Sequence, residues 1–180
     1  SMTFMVAMGL SVASMIRVGN QKGLQNFKEL RRIAFSIFLL GMIFATIFAI
    51  LFFIFHDIMP MIYVDLTDEL NYTDNIEVIA IASKLLIAAA FFQISDSIQV
   101  VVLGALRGLQ DVKIPTILTF ISYWCIGFPV SYYLGSEEMY GSFGIWLGLL
   151  AGLTTASILL FIRFNKLTLQ LIKTKTELID

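Results

Sequence analysis

The chain has 180 residues, of which 58% are hydrophobic and only 14% are charged, and its net charge is −1. Soluble domains carry about 25% charged residues, so this composition is typical of a membrane protein. One histidine and one cysteine cannot assemble a zinc cluster. The sequence has no Ser/His/Asp set, no phosphate-binding loop and no basic patch interleaved with aromatic residues. We therefore expect no enzyme, no bound cofactor and no nucleic-acid partner.

Apolar runs predict an all-α, polytopic membrane bundle of about five helices. A spanning helix needs about 20 mostly apolar residues, and three runs reach that length with at most one charge near an end. The first helix has too few apolar residues to cross, and the chain opens with Ser1-Met2, so we expect a truncated helix in a fragment of a longer protein. The predicted helices cover residues 1–17, 33–55, 78–106, 114–134 and 142–164, within a membrane region 1–165.

Charge alternates from loop to loop. The loop before the second helix carries five Lys or Arg residues and one acid, whereas the next loop carries six acids and no cation. Two cations, then two acids, then a basic segment at 166–180 complete the series. Cytoplasmic loops are enriched in Lys and Arg. We therefore expect a multi-pass protein of the cytoplasmic (inner or plasma) membrane, with residues 166–180 as a cytoplasmic tail.

A carboxylate lies in the middle of the third predicted helix. At about 1.5 Å per residue, Asp96 is about 15 Å from Arg107, near the middle of a roughly 30 Å hydrocarbon layer. A charge there costs about 2.5–3.5 kcal/mol. Three explanations are open: Asp96 pairs with a cation from another helix, binds a transported H⁺ or Na⁺, or contacts a cationic substrate. The sequence has no Lys or Arg at membrane depth, and this weakens the first explanation.

Polar and small residues line one side of that helix. Gln93, Asp96, Val100 and Gly104 share a strip, and Gln99 falls to its side. Such a strip normally faces a bundle interior or a water-filled cavity.

Glycines and prolines predict how the last two helices are shaped. Gly127 and Pro129 should kink or soften the fourth helix toward its outer half. Small residues recur every four positions in the last helix, at Gly144, Gly148, Gly152 and Ala156, which predicts a face for close packing. We expect the single cysteine, Cys125, to be buried as a small hydrophobic residue.

Three ordered motifs resemble the MATE (multidrug and toxic compound extrusion) family, most closely its NorM-like branch. The first is SVASMIRVGNQKG at residues 11–23. The second is D-x-x-Q-x-x-x-x-G-x-L-R-G from Asp96 to Gly108, followed by Pro115, Tyr123-Trp124 and Gly127-x-Pro129. The third is GSFGIWLGL at residues 141–149.

The resemblance implies more than the residues do alone. It implies twelve helices in two six-helix lobes, with this chain forming most of the C-terminal lobe and the N-terminal lobe as its partner. It implies export of organic cations in exchange for Na⁺ or H⁺ by alternating access, with Asp96 as the cation-coupling residue and a possible Na⁺ ligand. Phe92 stands where the resemblance places a tyrosine in some members.

Further site candidates surround Asp96. Gln93 and Gln99 are its polar neighbours, and Phe92, Tyr123 and Trp124 are aromatic cleft candidates able to receive a cationic substrate on a ring face. Membrane lipid is the other expected partner. Two other functions are open: a flippase for lipid-linked oligosaccharides from the same superfamily, and a non-transporting membrane scaffold in which Asp96 only pairs helices.

Overall fold

A computed structural model describes residues 2–61, 72–136 and 140–177, and these residues form helices and short connections without a strand. Five helical stretches are long and apolar enough to cross a membrane, which confirms the predicted all-α polytopic bundle. One of them is Thr3–Gly23, so the expectation that the first helix has too few apolar residues to cross is wrong. The elements are α1 (Met2–Gly23), α2 (Phe27–Phe55), α3 (Ile58–Met61), α4 (Tyr72–Gly108), α5 (Lys113–Ile121), a π-helical segment (Ser122–Gly127), α6 (Phe128–Leu134) and α7 (Gly141–Glu177).

The helices extend beyond the apolar runs at the basic end of the bundle, the end where α1 finishes and α2 begins. Helix α2 starts at Phe27, where the side chain of Asn26 accepts a hydrogen bond from the Glu29 N–H and caps the helix. Helix α7 continues to Glu177, so most of the predicted tail is helical. Leu167 and Leu171 explain this, since they still pack against the core.

Helix α4 is the centre of the bundle and packs against α1, α2 and α7. The main core lies toward the basic end, where Val18 of α1, Leu30 of α2, Leu106 of α4 and Phe164 of α7 are fully buried together. The fourth span, composed of α5, the π-helical segment and α6, packs on α7. Helix α1, by contrast, packs mainly on α4 and α2.

The predicted small-residue face of α7 is confirmed as a packing surface. Gly144, Gly148, Gly152 and Ala156 are all buried. A Cβ atom on Gly144 would overlap the carbonyl of Leu134, and one on Gly148 would overlap the backbone of Ser131. Glycine is needed at these positions because the backbones of α6 and α7 approach too closely for a side chain.

The expectation for Cys125 is wrong, because its side chain is exposed. Cys125 lies in the π-helical segment, whose contacts with α7 are made by Gly127 and Tyr123 instead. The thiol therefore points away from the packed side of the fourth span.

Candidate functional site

Asp96 lies on α4 between two faces that serve different neighbours. Three residues before it, Gln93 accepts a hydrogen bond from Thr3 of α1 at 3.0 Å. Three residues after it, Gln99 accepts one from Tyr123 of the π-helical segment at 3.2 Å. Because a helix turns by about 100° per residue, Asp96 is about 60° from each glutamine. Its half-buried side chain thus faces the gap between α1 and the fourth span.

A glutamine–tyrosine pair forms the wall of the site beside Asp96. The side chain of Gln99 is 9% exposed, and its amide oxygen receives the Tyr123 hydroxyl. Asp96 is three residues before Gln99, so the two side chains are neighbours on the surface of α4. Asp96, Gln99 and Tyr123 therefore form one polar group within the apolar span.

The π-helical segment explains why Tyr123 is in that position. The Phe128 N–H donates to the carbonyl of Tyr123, five residues earlier, which is the hydrogen bond of a π-helix. Pro129 follows directly and has no N–H to continue the α-helical pattern. Gly127 lies against the backbone of Gly152. The sequence predicted a kink at Gly127 and Pro129, and the structure has this wider turn next to them.

Asp96 has no hydrogen bond or ion pair with any residue that the structure describes. The nearest cations on its own helix, Arg107 and Lys84, are eleven and twelve residues away, about 16–18 Å along the axis. Two cations of the basic end are engaged elsewhere: Arg163 binds Asp111 at 2.8 Å, and Lys22 donates to the carbonyl of Leu109 at 2.8 Å. Within the described residues, a structural ion pair does not account for the carboxylate.

The other predicted site residues lie outside this polar group. Gln93 is turned toward α1 by its bond to Thr3. Phe92 packs edge-to-face on Trp146 of α7, with ring centroids 6.1 Å apart. Trp124 is 59% exposed and lines an open groove of about 1000 Å³ together with aromatic residues of α6. The structure thus groups Tyr123 with Gln99 beside Asp96, and Tyr123 also lines the groove next to Trp124, whereas Phe92 packs on α7.

Helical phase put Ser97 close beside the polar strip, but sequence reasoning named no partner for the serines of α4. Ser95 shares a hydrogen bond with Thr154 of α7 at 3.0 Å, and Ser97 donates to the carbonyl of Gly41 in α2 at 3.2 Å. Their presence in an apolar span was the available signal, since hydroxyl groups in transmembrane helices often bond across helices. Together with Gln93 and Gln99, they tie α4 to each of its neighbours.

Comparison with known proteins assigns this arrangement to a family. The MatE family model matches residues 1–133. The chain belongs to the MatE family. This confirms the resemblance seen in the three motifs, and together with the five apolar helices it shows a multi-pass membrane protein.

Relatives of this MatE chain carry multidrug resistance names. It is 38% identical over 165 residues to a probable multidrug resistance protein NorM of Rhodopseudomonas palustris, covering 92% of the chain and 34% of the relative. It is 38% identical over 169 residues to the multidrug resistance protein NorM of Photobacterium profundum, covering 92% and 35%. It is 37% identical over 164 residues to the multidrug resistance protein MdtK of Proteus mirabilis, covering 89% and 34%. The chain thus spans about a third of the length of these relatives.

Proposed function

We propose that the complete protein containing this chain is a cation-coupled antiporter that exports cationic organic compounds by alternating access. The observation that carries the proposal is Asp96, a carboxylate in the middle of a span with no ion pair among the described residues. Ionisable groups inside membrane helices typically mark ion or substrate pathways. The multidrug resistance names of the relatives support the same class of substrate.

Coupling follows from the charge of a single carboxylate. An unpaired negative charge in hydrocarbon costs about 2.5–3.5 kcal/mol, so Asp96 is favoured when H⁺, Na⁺ or an organic cation neutralises it. One carboxylate neutralises one monovalent cation at a time. Binding of the coupling ion on one side of the membrane therefore displaces the substrate, and the reverse exchange occurs on the other side.

Gln99 and Tyr123 complete the ion site in this proposal. An amide oxygen has two lone pairs, and only one of those on Gln99 is used by the Tyr123 hydroxyl. The second can join the Asp96 carboxylate as an oxygen ligand for Na⁺. The face of the Tyr123 ring offers an organic cation a second favourable contact.

The remaining parts of the proposal concern the surroundings. The N-terminal lobe would supply the other half of the cleft, on the side of α4 that Asp96 faces. The basic end of the bundle would lie in the cytoplasm, in an inner or plasma membrane, because Lys and Arg are retained there. The flippase and scaffold alternatives receive no support from an observed contact of Asp96.

The test is efflux of ethidium by membrane vesicles containing the complete protein, with Na⁺ and pH gradients applied in turn. We expect Asp96→Asn to reduce coupled efflux at least about tenfold, since a neutral amide cannot exchange cations. Asp57→Asn is the matched control, because it removes an exposed carboxylate just after the C-terminal end of α2, away from Asp96. It should keep wild-type efflux, and the gradient that drives the wild type identifies the coupling ion. Normal efflux by a correctly inserted Asp96→Asn protein would refute the mechanism.

A further inference from the structure

A crevice of about 250 Å³ lies at the basic end, between the start of α2 and the end of α7. Phe27 and Ile172 give it an apolar floor, and two lysines stand at its rim, Lys28 from α2 and Lys175 from α7. Asn26 and Thr176 add an amide and a hydroxyl. The site described above, around Asp96, makes no use of this crevice.

The charges around the crevice leave its lysines free of acidic partners. Among the described residues at this end, Glu29 pairs with Arg32 at 3.8 Å, and Glu177 pairs with Lys173 at 3.8 Å. Asp111 is held by Arg163. No described acid therefore neutralises the crevice, which carries two positive charges.

Lysine donors remain available in the crevice. Lys175 donates one hydrogen bond to the carbonyl of Gln25 at 2.8 Å. This bond holds its ammonium group at the rim, and two of its three donors stay unused. The described residues give the exposed Lys28 no hydrogen bond or ion pair. An anion in the crevice would thus meet two ammonium groups from two different helices.

Between the crevice and the middle of the bundle, α2 and α7 expose apolar side chains on their outer sides. Helical phase places Lys28 and the 60% exposed Leu39 on one side of α2, and Ile162 and Leu169 on the matching side of α7. This apolar flank is opposite to the faces of α2 and α7 that pack on α4. Lys28 is five residues before the apolar run of α2, about 7–8 Å along the helix, at the depth of lipid headgroups.

We propose that this crevice binds the phosphate of an anionic phospholipid, with the acyl chains lying along the flank formed by Leu39, Ile162 and Leu169. Two lysines, with no unpaired acid beside them among the described residues, select for negative charge, as in basic pockets between membrane helices that hold lipid headgroups. The apolar flank selects a lipid over a free phosphate ion, because only a lipid can cover both surfaces at once. The lipid would bridge α2 and α7 where Arg31 already joins them through Asn165 and Thr168.

Native mass spectrometry of the complete protein tests this, after its release from membranes of phosphatidylglycerol and phosphatidylcholine. We expect retained phosphatidylglycerol, and about 20- to 30-fold weaker retention in the double variant Lys28→Gln/Lys175→Gln, at about fivefold per lysine. The matched control is Arg17→Gln/Lys113→Gln, which makes the same charge change at exposed positions on α1 and α5, away from the crevice and from the flank. It should retain the lipid. Thr176→Trp fills the crevice without changing its charge, so this variant should also lose the lipid. It provides a second test if the double lysine variant does not fold.

Three results would overturn the proposal: equal loss of lipid in the lysine and control variants, no preference for phosphatidylglycerol, or displacement of the lipid by millimolar inorganic phosphate. The last result would indicate a site for soluble phosphate. Lipid retention is measured without a transport assay, so failure of the lipid proposal can be told apart from failure of the proposal that Asp96 couples efflux to an ion gradient.

Discussion

The close contact of α6 with α7 predicts a large effect from one added methyl group. In Gly148→Ala the new Cβ would overlap the backbone nitrogen and Oγ of Ser131, and a backbone atom cannot rotate away. Overpacking of this kind costs about 1–3 kcal/mol. Loss of the hydrogen bond from Ser131 to the Ile145 carbonyl adds about 1 kcal/mol, and the better helix propensity of alanine returns about 1 kcal/mol. We expect a net loss of about 1–3 kcal/mol in the free energy of unfolding.

Gly9→Ala is the matched control for this substitution. Gly9 is also inside a helix, but nothing lies within 4 Å of a Cβ placed on it. The same chemical change should therefore leave stability unchanged or raise it by up to about 1 kcal/mol. Reversible unfolding of the purified complete protein by SDS, followed by tryptophan fluorescence, measures both differences. If Gly148→Ala proved as stable as the wild type, or if both alanines shifted stability equally, the close backbone contact of α6 with α7 would be refuted.

Three further contacts give predictions that the same unfolding assay checks. Asp111→Asn and Arg163→Met should each lose about 2–4 kcal/mol because the remaining charge is left partly buried, and the double variant should lose less than their sum; strict additivity would argue against the pair. Tyr123→Phe should lose about 0.5–1.5 kcal/mol with its bond to Gln99, and no loss would mean that the bond is absent. Arg31→Lys should lose about 1–3 kcal/mol because an ammonium group cannot reproduce the forked guanidinium contacts with α7, whereas full stability would show that charge alone suffices there.

Hydropathy located the membrane spans but not the helix ends. The apolar run of the last helix stops at Phe164, yet α7 continues to Glu177. Hydropathy identifies the residues that lie within the hydrocarbon layer, whereas a helix continues beyond that layer as long as its side chains still pack on neighbouring helices or form hydrogen bonds. At the basic end, Leu167 and Leu171 pack on the core. Of the acidic loop predicted between residues 56 and 77, residues 62–71 lie outside the described residues, whereas Ile58–Met61 form α3 and α4 already begins at Tyr72.

The partners of the α4 side chains could not be predicted in the same way. Helical phase correctly separated Gln99 from the strip that contains Gln93, because phase depends only on spacing along one helix. It could not identify Tyr123 as the partner of Gln99, since that depends on which helix lies beside each face. The π-helical segment could not be predicted for the same reason. Gly127 and Pro129 indicate where the helix departs from regular geometry, but the form of that departure depends on packing against another helix, here at Gly152.

In the mechanism proposed above, the placement of Asp96 has a consequence for the speed of cation exchange. The polar side chains around it, on Gln93, Ser95, Ser97 and Gln99, bond to α1, α7, α2 and the fourth span. Among the described residues, the carboxylate itself bonds to none of them. A cation can therefore enter or leave without breaking any of these bonds, and α4 stays anchored during the event. The time an ion remains at Asp96 is then governed by its dehydration and by access to the gap, while the slower rearrangement of helices is a separate step.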